Sequence, residues 1–159
     1  MYIHIFAVEM KIEDEIQQKE FKSEYQKAHI NLLFTASWLS QHSLQVLKPF
    51  GLSWQQFNVL RILRGRHPEP ATVKLLAERM IDKMSNASRL VEKLKQKGYV
   101  ERCECPEDRR QVDIRITESG LQALELASRS ADKELQSHMC HISEQEAFTL
   151  NHILDKIRD

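Results

Sequence analysis

The chain has 159 residues, 29% of them charged, with four glycines and four prolines. One domain with a real core is expected, and the composition favours a mainly helical protein over a sandwich, barrel or disordered chain. Lys and Arg balance Asp and Glu at 23 each, so net charge gives no reason to expect a polyanion as partner.

No apolar run approaches the length of a membrane span. The first ten residues, MYIHIFAVEM, lack the basic flank and small-residue cleavage site of a secretory signal. Met10 offers an alternative start, and the segment is assigned no function. Cys103, Cys105 and Cys140 follow no disulfide framework, which points to a reduced, cytoplasmic chain.

Residues 13–48 form one long helical pattern. Phe21, Tyr25, Ala28, Leu32 and Leu39 recur on one stripe, and Leu33, Phe34 and Ala36 widen it. Such a broad apolar face wants a partner helix, in this chain or in another copy. Pro49 and Gly51 end it. Ser53-Trp54-Gln55-Gln56 is an S-x-x-Q capping box that opens a second helix. Trp54, Phe57, Leu60 and Leu63 supply its inner face, and Gly65, Pro68 and Pro70 mark a loop. Thr72 caps a third helix, with Val73, Leu76, Ala77 and Met80 inside.

After the short turn 80–83 comes a fourth helix, read as starting near Lys83 with Asp82 or Ser85 as alternative caps. Met84, Ala87, Leu90, Val91 and Leu94 form its apolar face, and Ser85, Asn86, Ser88, Arg89 and Lys93 remain on the other side. Gly98 supplies a left-handed stop. Tyr99 and Val100 open one strand. In a second, over residues 111–116, Val112, Ile114 and Ile116 face one way and Asp113 and Arg115 the other. The turn between them, 106–110, is polar and cationic. Helix, turn, helix and a basic-tipped hairpin make a winged helix-turn-helix, the layout that meets a duplex. Thr117 then opens a helix with Leu121, Leu124, Ser128, Ala131 and Leu135 as a near-heptad stripe. Ser143-Glu144-Gln145-Glu146 caps the last helix, which repeats Ala147, Leu150, Leu154 and Ile157.

Charge distribution agrees with this layout. Residues 54–115 carry 14 Lys/Arg against 9 Asp/Glu, a net of +5. The N-terminal flank nets −1 and the C-terminal flank −4. A basic centre between acidic flanks is expected where only the centre faces phosphate.

The runs Leu76-Ala77-Glu78-Arg79-Met80, Ser85-Asn86-Ala87-Ser88-Arg89-Leu90-Val91-Glu92-Lys93-Leu94 and Lys97-Gly98-Tyr99-Val100-Glu101-Arg102 resemble those of MarR-family transcriptional regulators. So do Asp108-Arg109-Arg110, Val112 to Ile116, Thr117-Glu118-Ser119-Gly120 and the segment Leu52 to Leu60. The resemblance covers 52–124 by motif and the flanking helices by layout. It implies a mainly α fold with a small β-hairpin wing and one domain over 1–159. The winged core spans 53–116, and residues 13–48 and 117–158 are dimerisation helices. It further implies a homodimer on a pseudo-palindromic operator, repression, and relief by a small ligand, such as an aromatic or phenolic effector, or by an oxidant. Lys83 stands where many members have Ser, exchanging a cap for a phosphate contact.

Ser85, Asn86, Ser88 and Arg89 are the candidates for reading bases and phosphates, because hydroxyl and amide groups both donate and accept and Arg forks onto guanine. Lys83 and Lys93 add salt-sensitive phosphate attraction. At the wing, Arg109 and Arg110 divide minor-groove insertion and pairing with Asp108 between them. Trp38, His42, Trp54 and Phe57, near the junction of the first two helices, are candidate effector contacts; plain core is the competing reading. Cys103 and Cys105 share a strand face and are expected to pack, with redox switching as the alternative. No nucleophile–base set, phosphate loop, dinucleotide fingerprint or metal signature is present, so neither an enzyme nor a cofactor is expected. The rival to DNA binding is a winged-helix protein-interaction module.

Overall fold

The computed structural model describes residues 11–104 and 112–159, leaving out the side chain of Glu104. Cys105 and the wing tip with Asp108, Arg109 and Arg110 therefore lie outside the described residues. The chain divides into two compact units, Met1–His42 and Ser43–Asp159.

In the first unit the expected single helix is interrupted. A short α1 (Ile12–Glu15) stops where Gln17 takes φ +53°, and α2 (Glu24–Leu47) starts afresh. The restart has a local cause: Ser23 Oγ accepts a hydrogen bond from Gln26 N at 3.2 Å, which satisfies a first-turn amide. Glu13 and Lys27 pair at 2.5 Å across the break. That bond holds the Glu13 carboxyl below its usual range and raises the Lys27 amine. Tyr25, placed on the inner stripe by periodicity, is 90% exposed.

In the second unit a 3₁₀ turn (Lys48–Phe50) leads through Gly51, at φ +63°, to α3 (Trp54–Arg64). Both arms of its capping box form: Gln56 N donates to Ser53 Oγ at 3.2 Å, and Ser53 N to Gln56 Oε1 at 3.1 Å. A two-residue strand β1 (Ala71–Thr72) precedes α4 (Val73–Arg79), whose cap is Thr72 Oγ1, accepting from Leu75 N at 3.0 Å. Then come α5 (Ala87–Gln96), β2 (Val100–Glu104), β3 (Val112–Ile116), α6 (Glu118–Met139) and α7 (Glu144–Ile157).

The sheet is three-stranded and antiparallel in the order β1-β3-β2, with Ala71 opposite Ile114 and Arg102 also opposite Ile114. The hairpin expected from the sequence is thus joined by a third strand too short to leave a periodic signal. Its presence explains Asp113. With neighbours Thr72 on one side and Cys103 on the other, Asp113 is buried although alternation puts it on the solvent face.

Leu60, Leu63, Leu76, Met80, Val91, Leu94, Ile114 and Leu124 are buried together, so α3, α4, α5, β3 and α6 share one core. Ala77, expected inside, is exposed. At the start of α6, Thr117 N donates to Tyr99 O at 3.1 Å and Thr117 Oγ1 to Gly98 O at 2.6 Å. Gly120 sits so close to this crossing that a Cβ there would lie 2.1 Å from the Tyr99 carbonyl oxygen. The last helix, α7, is capped by Ser143 and Glu146 as its sequence indicated, and buries none of its residues.

Candidate nucleic-acid interface

The exposed face of α5 follows from its cap. Asn86 Oδ1 accepts from Arg89 N at 3.0 Å, so the helix begins at Ala87 rather than near Lys83, and neither Asp82 nor Ser85 is the cap. Ala87, Val91 and Leu94 turn inward, while Ser88, Arg89 and Lys93 turn outward. Moving the start by a turn takes Met84 out of the helix. Expected on the apolar face, it is 94% exposed.

The turn ahead of α5 is held by hydrogen bonds rather than by packing. Asp82 Oδ1 accepts from Met84 N at 3.0 Å. Its Oδ2 accepts from Ser85 Oγ at 2.8 Å and from Gln55 Nε2, on α3, at 3.4 Å. Ser85, then Gln55 and the Met84 amide, hold the Asp82 carboxyl below the usual carboxylate range. One residue earlier, Ile81 N donates to Asn58 Oδ1 at 3.0 Å, and Asn58 is only 7% exposed. The anchoring roles of Asn58, Gln55 and Asp82 are not evident from the sequence, which offers Asp82 only as a candidate cap and Gln55 only as part of the capping box. Their signal was a polar residue, Asn58, set between Phe57 and Val59 inside an apolar run, where burial requires a partner.

The candidate residues are thus divided in their work. Asn86 spends its amide oxygen on the cap, which leaves its NH₂ as the group able to reach a base or phosphate. Ser85 donates to Asp82 and has acceptor capacity left. Lys83 Nζ donates to the Glu78 carbonyl at the end of α4. Ser88, Arg89 and Lys93 stand exposed on α5. Glu92 pairs with Arg102 at 2.9 Å and ties α5 to β2. At the far end of the helix, Lys97 Nζ donates to the Gly51 carbonyl. Lys48, Lys93 and Lys97 rim a cleft of about 490 Å³ floored by Leu44 and Leu52.

The remaining candidates divide between the two units. In the first unit Trp38 and His42 have ring centroids 4.2 Å apart. Trp38 also lines a cleft of about 320 Å³ with Ile12, Asn31 and Phe34. In the second unit Trp54 lies against the core. Phe57, 3% exposed, belongs to it, with the Arg61 guanidinium 5.9 Å above its ring centre. Cys103 is half-buried, with Sγ 3.6 Å from the Asp113 carbonyl, in keeping with packing. Cys140 is exposed.

No helix among the described residues is long and apolar enough to cross a membrane. A sequence model of the MarR family matches residues 50–111, from just ahead of α3 to the wing. An HTH-type transcriptional repressor of Pseudomonas putida, IacR, is 26% identical over 144 residues, which cover 91% of this chain and 81% of that protein. Among solved structures, a MarR transcription factor from Planctomyces limnophilus superimposes with a TM-score of 0.65 at 29% identity, covering 86% of this chain and 98% of that one. Bordetella bronchiseptica BpsR, from a structural study of the regulation of its DNA binding by 6-hydroxynicotinic acid, gives a TM-score of 0.75 at 20% identity. The match covers 89% of this chain and 99% of BpsR. The helix-turn-helix, the three-stranded sheet and these matches agree: residues 50–111 are similar to the winged helix-turn-helix of MarR-family transcription regulators, and the chain shares their fold.

Proposed function

We propose that the protein is a homodimeric repressor that binds a pseudo-palindromic operator in double-stranded DNA. Its α5 lies in the major groove and its wing beside the minor groove. The observation that carries this reading is the split of α5 into a buried apolar side and an exposed side bearing Ser88, Arg89 and Lys93. An exposed row of donors on a helix rigidly seated in a core is what base and phosphate contact requires. Lys83, Ser85 and the Asn86 amide group extend that row, and Arg109 and Arg110 serve the wing.

The homodimer is supported by apolar side chains that the single chain leaves in solvent. Phe148 on α7 is 70% exposed, with Leu150, Ile153 and Ile157 beside it in sequence, and Leu33 on α2 is 58% exposed. Apolar surface of this density marks an interaction site. A cytoplasmic setting fits the three cysteines. For the effector, the Trp38 cleft in the first unit has the size and aromatic wall suited to a small aromatic or phenolic compound.

The test is a duplex enriched from a random pool on the protein, then titrated by fluorescence anisotropy at several salt concentrations. Tight binding that weakens steeply as salt rises supports the reading. Failure to enrich any sequence, with capture of a protein partner from nuclease-treated lysate, replaces it with an interaction module. Light scattering reads the subunit count, and quenching of tryptophan fluorescence by 6-hydroxynicotinic acid or a simple phenol, lost in Trp38→Ala, reads the effector site.

A further inference from the structure

Met84 is a large apolar side chain held out in solvent, 94% exposed, at the leading edge of the recognition helix. It stands among Lys83, Ser85 and Asn86, so it belongs to no apolar helix stripe. Its position is fixed. The Met84 amide donates to Asp82 Oδ1 at 3.0 Å, Ser85 Oγ donates to Asp82 Oδ2 at 2.8 Å, and Asn86 caps α5 immediately afterwards.

A thioether offers a phosphate nothing, since it carries no donor and is a weak acceptor. In the major groove the edges of base pairs are polar apart from one group, the C5-methyl of thymine. An unbranched, polarisable side chain fits against a methyl without needing one fixed rotamer. We propose that Met84 contacts the C5-methyl of a thymine in each operator half-site and so sets specificity at that base pair. The inference rests on α5 being the DNA-reading helix.

The test replaces thymidine by deoxyuridine, one symmetric pair at a time, in a duplex enriched on the wild-type protein. This deletes the methyl and leaves the O4 acceptor in place. One thymine pair is expected to show a loss of about fourfold per methyl, hence roughly sixteenfold for the two half-sites together, the worth of burying one methyl-sized group each time. Met84→Ala should bind the thymine and uracil forms of that duplex equally, with the affinity of wild type on the uracil form. Met84→Leu should recover the discrimination.

Unchanged wild-type affinity after every substitution overturns the inference. So does full discrimination in Met84→Ala. If circular dichroism shows Met84→Ala misfolded, the Met84→Leu protein and the wild-type substitution series decide. Failure to enrich any duplex sinks the DNA-binding reading beneath it and this inference with it.

Discussion

Replacing Gly120 by alanine puts two effects in opposition, and the structure decides which wins. Gly120 lies in the first turn of α6, so a Cβ there would ordinarily help, by about 1 kcal/mol of helix propensity. The same Cβ would stand 2.1 Å from the Tyr99 carbonyl oxygen, 2.9 Å from Ile116 Cγ1 and 3.0 Å from the Tyr99 carbonyl carbon. Two of these neighbours are backbone atoms, so rotamer changes cannot relieve the clash. The carbonyl that must move also accepts from Thr117 N at 3.1 Å, so retreat breaks the joint between β2 and α6. Overpacking of this kind costs about 1–3 kcal/mol, and the backbone partners put this case at the upper end.

Net of propensity, a loss of about 2 kcal/mol is expected. The assay is urea unfolding by circular dichroism at fixed protein concentration, read as a shift in midpoint at constant slope. Gly65→Ala is the control. Gly65 has φ −66°, and a Cβ there meets its nearest atoms at 3.6 Å. It should gain about 0.4–1 kcal/mol through the unfolded chain. Equal midpoints for the two variants would refute the steric reasoning.

Asn58→Ala should lose about 1–3 kcal/mol, because the Ile81 amide is left without its acceptor, and a midpoint shift well under 1 kcal/mol would reject that account. Asn86→Ala should cost about 1 kcal/mol of stability through the lost cap. Asn86→Asp keeps the cap and should instead lower duplex affinity by setting a carboxylate toward phosphate; anisotropy separates the two. Arg89→Ala should cost about 1–3 kcal/mol of binding if it forks onto a guanine, whereas Lys93→Ala should lower affinity for all sequences and reduce the salt slope by about one per contact. Asp82 has its folded-state pKa lowered by Ser85, Gln55 and the Met84 amide, so its stabilising contribution is present above about pH 4 and fades as pH falls through the folded value. The gap in urea midpoint between wild type and Asp82→Asn should therefore close below pH 4; a gap that widens on acidification contradicts the sign.

Most element starts could be read because their caps are local chemistry. Ser53, Thr72, Thr117 and Ser143 each accept from an amide three residues on, as their sequence patterns announced. Gly98, at φ +72°, ends α5 as a left-handed stop should. The start of α5 was harder. Helical spacing continued backward onto Met84, and only the competition among Asp82, Ser85 and Asn86 for the cap fixed the boundary. Three residues that periodicity treats alike were separated by a contact with α3, 27 positions away in the chain at Gln55. The break between α1 and α2 escaped for a different reason. It contains neither Gly nor Pro, and the S-x-x-Q pattern at Ser23 is easily absorbed into a long helix. Of the candidate interface, the exposed side of α5 at Ser88, Arg89 and Lys93 was legible, whereas Lys83, Met84, Ser85 and Asn86 lie ahead of the helix and not on its faces. Which atoms are already committed, such as Asn86 Oδ1 and Lys83 Nζ, follows from three-dimensional neighbours alone.

Both ends of α5 are secured from the same quarter of the molecule. Ahead of it, Asn58 and Gln55 hold the turn, and behind it Lys97 reaches the Gly51 carbonyl just before α3. Orientation is thus set by groups that point away from the exposed side, and Met84, Ser88 and Arg89 take no part through their side chains. On the proposed DNA-binding reading, the surface that chooses a sequence can be exchanged while the mount that aims it stays untouched. New operator preferences should therefore be obtainable by substituting those three positions in this scaffold.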